Sequence, residues 1–233
     1  MRVRYGEFEM PALFDPAWLQ GWGQGEELAL SRGGAPLSLL VGPGEVFYLS
    51  HIWQSEVVFE EGLRVHLLDC AIRFNAFMLA EEAFRRGEAA EYILHRVTVQ
   101  RAFTPYQILD ALRETLEALS APGPGVEERT VPFILAPCKQ FFDGDVAEDE
   151  GAFLLKKMLG LFGEFKRRGV PLVVVEKRSY RSALFPKVLG KIAELSTSHW
   201  GLEERGQQGK VPDGVYRLTD YKARSREPLG ISR

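Results

Sequence analysis

Residues 36–69 read PLSLLVGPGEVFYLSHIWQSEVVFEEGLRVHLLD, and their order of strand, glycine turn, helix and strand decides the fold. Leu37 to Val41 is a short, nearly continuous apolar run, the pattern of a strand buried on both faces of a parallel sheet. Gly42-Pro43-Gly44 ends it. From Val46 to Phe59 apolar residues recur at helical spacing (Phe47, Ile52, Trp53, Val57), and Gly62 is the stop. Leu63 to Asp69, LRVHLLD, is the second strand.

The alternation continues downstream. Phe74 to Arg86 carries a helical stripe (Phe74, Phe77, Met78, Ala80, Phe84) with Gly87 as its cap. Tyr92 to Val99 reads as a third strand and Pro105 to Leu119 as a third helix. Ala121 to Gly125, APGPG, is a loop. Val131 to Ala136 is a strand, Val146 to Arg168 an amphipathic helix ended by Gly169, and Pro171 to Glu176 a buried strand. Thr197 to Glu203 and Gly214 to Tyr221 read as a closing antiparallel hairpin, joined by a loop rich in Gly and Gln. Strands alternating with helices predict an α/β domain with a mostly parallel sheet. Upstream, residues 1–35 read as a cover over the core. Asp15 caps a short helix PAWLQ, and Phe14, Trp18 and Trp22 are packing aromatics.

Bulk properties narrow the class. The 233 residues are 45% hydrophobic and 26% charged, as in globular domains, and the net charge of −3 supplies no global basic field. Cys70 and Cys138 sit in apolar runs and read as buried free thiols, which fits the cytoplasm. Neither they nor His51, His66, His95 and His199 have metal-ligand spacing, and no cofactor is expected. No run of about 18 apolar residues predicts a membrane span.

From Leu37 onward the chain resembles the RecA/Rad-type recombinase ATPase core and its KaiC-like relatives. The resemblance rests on the strand, glycine turn and helix of Leu37 to Phe59, and on HLLDCAIRFN leading into AFMLAEEAFRRG. It continues in VTVQRAFTPYQILDAL, in VPFILAPCKQFF at the place of the Walker B strand, in PLVVVEKR, and in the closing SHWGLEERG…GVYRLTDYKAR. It implies a three-layer RecA-like P-loop NTPase fold, with a core over residues 36–225 and a tail over 226–233.

The family's chemistry is missing from its places. A phosphate loop needs G-x-x-x-x-G-K-[ST], its lysine on the phosphates and its hydroxyl on magnesium. Here Gly42, Pro43, Gly44 and Glu45 form a degenerate loop, and no lysine or arginine lies between Arg32 and Arg64. A carboxylate at Glu45 repels phosphate, by roughly 4 kcal/mol at about 4 Å and an effective dielectric of 20. Where the resemblance places a catalytic glutamate after Asp69, the chain has Ala71; where it places the metal aspartate, the chain has Ala136. These three losses predict a pseudo-ATPase without catalytic residues.

Two charged segments remain. FFDGDVAEDE, Phe141 to Glu150, could in principle gather a divalent metal, but the calcium-loop pattern is incomplete and its acids suit the start of the next helix. The segment after PLVVVE carries Lys177, Arg178, Arg181, Lys187 and Lys191 with Tyr180 and Phe185 between them, and no acid between Glu176 and Glu194. Cations with interleaved aromatics grip phosphate and stack bases. By the resemblance this is the place of a second DNA-binding loop. Lys177, Arg178, Tyr180, Arg181, Lys187 and Lys191 are therefore the candidate DNA contacts. Arg217, Lys222, Arg224 and Arg226 form a further basic cluster that reads as solvated.

Three functions follow as expectations. The first is a non-hydrolysing RecA-like accessory or architectural factor in DNA recombination or repair, with single-stranded DNA, a second copy or a RecA-family ATPase as partner. The second is a protein-interaction module with no nucleic-acid role. The third is a nucleotide-binding protein with a non-standard loop, using Asp69, Arg73 and Arg101 at the strand ends, where open α/β sheets hold ligands.

Overall fold

The computed structural model describes residues 4–5, 8–9, 36–120, 129–203 and 215–217. The short helix expected at PAWLQ, the aromatics around it, and Lys222, Arg224 and Arg226 lie outside these residues; Arg217 is described only as backbone.

The chain alternates strand and helix in the order β1 (Leu37–Gly42), α1 (Val46–Phe59), β2 (Arg64–Asp69), α2 (Ala76–Arg85), α3 (Ala90–Leu94), β3 (Val97–Arg101), α4 (Pro105–Ser120) and β4 (Thr130–Leu135). A 3-10 turn (Lys139–Phe142) follows, then α5 (Glu148–Arg167), β5 (Leu172–Lys177), α6 (Phe185–Leu195), β6 (Ser198–Glu203) and β7 (Val215–Arg217). A separate antiparallel pair joins Arg4–Tyr5 to Phe8–Glu9. The seven strands form one sheet in the order β3-β2-β4-β5-β1-β6-β7.

Every pairing in that sheet is parallel, from Leu37 opposite Leu172 to Gly201 opposite Val215. This corrects the expected closing hairpin: β7 runs alongside β6 in the same direction, in the register Gly201 to Val215 through Glu203 to Arg217. A two-residue turn joins antiparallel strands, whereas a parallel pair needs a longer crossover. A Gly-rich connection does not distinguish the two.

Burial on both faces explains the continuous apolar runs. Leu40, Val65, Leu67, Phe133, Leu135, Val173 and Val175 pack under α1, α2 and α3. Leu37, Leu39, Val41, Leu68, Ile134, Leu172 and Val174 pack under α4, α5 and α6. The two sets alternate along each strand, as the pleat demands. Each such side chain fully buried contributes about 1.5–3 kcal/mol. The result is a three-layer α/β domain. Pro132 is tolerated in an interior strand because the pairing of β4 with β5 begins only at Phe133.

Two further expectations change. Tyr92 to Leu94 belong to α3, and the strand starts at Val97. In α2 the buried face is Leu79, Glu82 and Ala83, not the aromatic stripe. Phe77 is 85% and Phe84 65% exposed. The phase of α2 is set at its ends. Asn75 Oδ1 accepts the Phe77 N–H at 3.0 Å, and Gly87, at φ 74°, closes a Schellman turn through Gly87 N–H to Phe84 O and Glu88 N–H to Ala83 O. Among the described residues no helix is long and apolar enough to cross a membrane.

Candidate functional site at the carboxyl ends of the strands

The degenerate loop is a tight connection of three residues between β1 and α1. Its helix-start amides are engaged within the chain: Val46 N–H on Pro43 O at 2.9 Å, Phe47 N–H on Gly44 O at 3.4 Å, and Tyr48 N–H on Glu45 O at 2.9 Å. A phosphate cradle needs such groups turned outward. Glu45 caps the helix in an αR conformation without a side-chain cap bond. Ser50 Oγ donates to Phe47 O at 2.7 Å and is buried.

Asp69 ends β2 with its side chain fully buried. Its two oxygens accept the N–H groups of Ala71 at 3.2 Å, Arg73 at 2.9 and 3.0 Å, and Phe74 at 3.0 Å. The carboxylate therefore folds the loop over itself, and this holds Ile72 at φ 52°, an uncommon conformation for a β-branched residue. Arg101 Nε lies 4.0 Å from Asp69, on an exposed side chain. The Arg73 guanidinium sits 5.5 Å from the centre of the Phe47 ring. The loop is then tied to α1. His51 Nδ1 donates to Phe47 O, so its Nε2 is the acceptor, and it takes the Asn75 N–H at 3.0 Å. Burial holds the His51 pKa below the usual histidine value, against the Phe47 carbonyl and Asp69, which favour the charged ring.

Between the first turns of α1 and this loop lies a groove of about 270 Å³, walled by Phe47, Tyr48, His51, Ile72, Arg73 and Phe74. No signal in the residue pattern marks this groove. The nearest clue is the run Asp69 to Asn75, in which Asp and Asn stand where a loop and a helix cap need short polar acceptors.

Ala71 and Ala136 are buried at the strand ends, and Ala136 has φ 51°. Among the described residues no cluster of His, Cys, Asp and Glu could hold a metal ion. Glu148, Asp149 and Glu150 stand in the first turn of α5, where acids complement the helix dipole. Cys70 and Cys138 are free and buried, and burial pushes both thiols up, so they stay protonated at neutral pH. His66 is half-buried and bonded through Nε2 to Gln100 Oε1 at 3.2 Å.

The basic segment leaves β5 beside the glycine turn, with Arg178 N–H on Gly42 O at 2.8 Å. Arg178, Arg181, Lys187 and Lys191 are exposed, and Lys177 is half-buried. Lys191 pairs with Glu194 at 2.7 Å. Glu176 points the other way. It is fully buried and accepts the N–H groups of Cys138 at 2.9 Å and Lys177 at 2.7 Å and the Tyr180 hydroxyl at 2.6 Å. Burial raises its carboxyl above the usual range, against these hydrogen bonds. Tyr180 also packs edge-on against Phe185 at 4.8 Å. It is half-buried in an aromatic cluster with Phe142 and Phe185.

No protein-family model matches the chain, and no curated protein matches it.

Proposed function

We propose that this protein is a non-hydrolysing, RecA-like accessory or architectural factor of the cytoplasm, serving DNA recombination or repair by holding single-stranded DNA on the Lys177 to Lys191 segment. The observation that carries this reading is the sorting of charge around β5. The carboxylate of Glu176 is buried and spent on internal donors, while Arg178, Arg181 and Lys187 face solvent. The segment is thus a local cationic surface on a protein of net charge −3. The closed turn Gly42 to Glu45, with Ala71 and Ala136 nearby, supports binding without ATP turnover. Tyr180 and Phe185 are committed to packing, so the grip is on phosphates and independent of sequence. The buried, protonated thiols of Cys70 and Cys138 fit a reducing compartment.

Fluorescence anisotropy with labelled oligo(dT) at low salt tests the reading. Binding is expected, and it should be lost when Lys177, Arg178 and Arg181 are replaced together by Ala. Undetectable binding, or binding unchanged in the triple variant, overturns it. Titration of ATP with magnesium should show nothing tighter than millimolar.

One observation favours protein partnering instead: the outer face of α2 exposes Phe77 and Phe84, seven positions apart and so on one side of the helix. Under that reading Phe77→Ser abolishes a complex with a second copy or with an ATPase partner, seen by light scattering, and leaves oligo(dT) binding intact.

A further inference from the structure

The groove beside α1 has a charge balance of its own. Among the described residues that line it there is no carboxylate. The nearest acid at the end of β2, Asp69, is fully buried and turned onto loop amides. Arg73 is exposed at the groove and makes no ion pair within 4.0 Å among the described residues; its guanidinium lies over the face of Phe47, and its charge also reaches Tyr180. Two apolar walls stand open around it: Tyr48 is 45% and Ile72 65% exposed. Neither ring nitrogen of His51 is available, since one donates to Phe47 O and the other accepts from Asn75.

A cation beside the exposed Tyr48 and Ile72 side chains, in a groove otherwise lined largely by polar atoms, suits an anion with a small apolar body. Guanidinium prefers planar, bidentate partners, which a carboxylate supplies. The volume of about 270 Å³ lies at or below the small end of ligand pockets, too small to enclose a nucleotide. A single cation, with Glu45 on the adjoining turn, also disfavours a polyphosphate. We infer that the groove between the first turns of α1 and the β2–α2 loop binds a small aromatic monocarboxylate, its carboxylate on Arg73 and its ring against Tyr48 and Ile72. With His51 spent on structure, the groove binds and does no chemistry.

Calorimetric titration of the full chain with phenylacetate, phenylacetamide and inorganic phosphate tests this. Phenylacetate is expected to bind with a dissociation constant on the order of 1 mM or tighter, in line with the efficiency of a ligand of about ten heavy atoms. Phenylacetamide should bind roughly tenfold more weakly or worse, because it cannot accept two charged N–H bonds. Arg73→Gln should bring phenylacetate down to the amide's level. Gly44 lines the same groove, and a Cβ there meets nothing within 4 Å, so Gly44→Met should be accommodated while its side chain obstructs the groove and abolishes binding. Equal affinity for acid and amide, phosphate binding as tight as phenylacetate, or full affinity in either variant overturns the assignment.

Discussion

The Tyr180 hydroxyl donates to Oε1 of Glu176 across 2.6 Å, and this bond anchors the start of the basic segment to the core. Glu176 is the last inward-facing residue of β5, and its oxygens serve the Tyr180 hydroxyl, the backbone N–H groups of Cys138 and Lys177, and the Cys138 thiol. Tyr180→Phe removes one donor and leaves the ring in its aromatic cluster. The expected cost is about 1–3 kcal/mol by urea denaturation, the penalty for leaving a buried acceptor short of a partner. Affinity for oligo(dT) should be unchanged, because the ring is spent on Phe185 and Phe142. A loss of affinity in this variant would return Tyr180 to the nucleic-acid surface.

His51 makes stability pH-dependent with a definite sign. Its native pKa lies below the usual histidine value of about 6.5, so the unfolded chain binds the proton first. Its contribution is fully present above about 6.5 and is lost as pH falls through the native value. Protonation would also set Nε2–H against the Asn75 N–H. Glu176 and Glu56, both raised, act oppositely: their contribution is present below the unfolded carboxyl value and is lost as pH rises through the native one. His51→Gln keeps an acceptor for Asn75 and cannot titrate near neutrality. Its stability relative to the wild type should therefore rise as pH is lowered from 8 to 5. Parallel urea midpoints for the two proteins across that range would contradict the assignment.

Asp69 is expected to be a folding residue. Asp69→Asn keeps the shape but turns an NH₂ toward backbone N–H groups. The cost should be roughly 2–4 kcal/mol, since charged hydrogen bonds are lost and a buried donor is left unpaired. Ile72→Gly should go the other way, by about 0.5–1 kcal/mol, because the left-handed conformation at φ 52° strains a β-branched residue and Ile72 is largely exposed. Thermal melts of the two variants give opposite shifts; shifts of the same sign would contradict this account of the loop.

How legible this was in the residues depends on what each feature rests on. The apolar runs at Leu37 to Val41 and Leu172 to Val175 announce a parallel sheet because double-sided burial leaves no alternation. The direction of β7 is not written in its residues, since side-chain alternation is identical in parallel and antiparallel ladders. Phe77 and Phe84 read as core because aromatic residues outweigh a phase that Asn75 and Gly87 set at the helix ends. The groove could not be read, because Ile72 gives no sign of its left-handed backbone. The bond of Tyr180 to Glu176 could not be read either, because that partner becomes visible only once the strand end buries its carboxylate.

Gln54 offers a test of the core itself. It lies in α1 with its side chain fully buried, and neither amide atom has a hydrogen-bond partner among the described residues. Desolvating an unpaired amide costs about 1–3 kcal/mol. Gln54→Leu, near in volume, is expected to raise stability by about 1 kcal/mol or more in urea titrations with the slope unchanged. A destabilised variant would mean that a bound water or ligand serves the amide.

Salt dependence sets the size of the nucleic-acid contact. The described cations of the segment are Lys177, Arg178, Arg181, Lys187 and Lys191, and Lys191 is already paired with Glu194. If Lys177, Arg178, Arg181 and Lys187 each exchange their present contacts for one phosphate, the logarithm of the association constant for oligo(dT) should fall against that of salt with a slope near −3, from about −0.7 per phosphate on single strands. The four cations span Lys177 to Lys187, so all of them can engage one strand only if it runs along the loop and into the first turn of α6. Lys187→Ala alone should then flatten the slope by about 0.7 and weaken binding equally on oligo(dT) and oligo(dA). A slope steeper than about −5 would require cations beyond this segment, and a Lys187→Ala effect confined to one base would require direct base contact, which the packing of Tyr180 and Phe185 does not support.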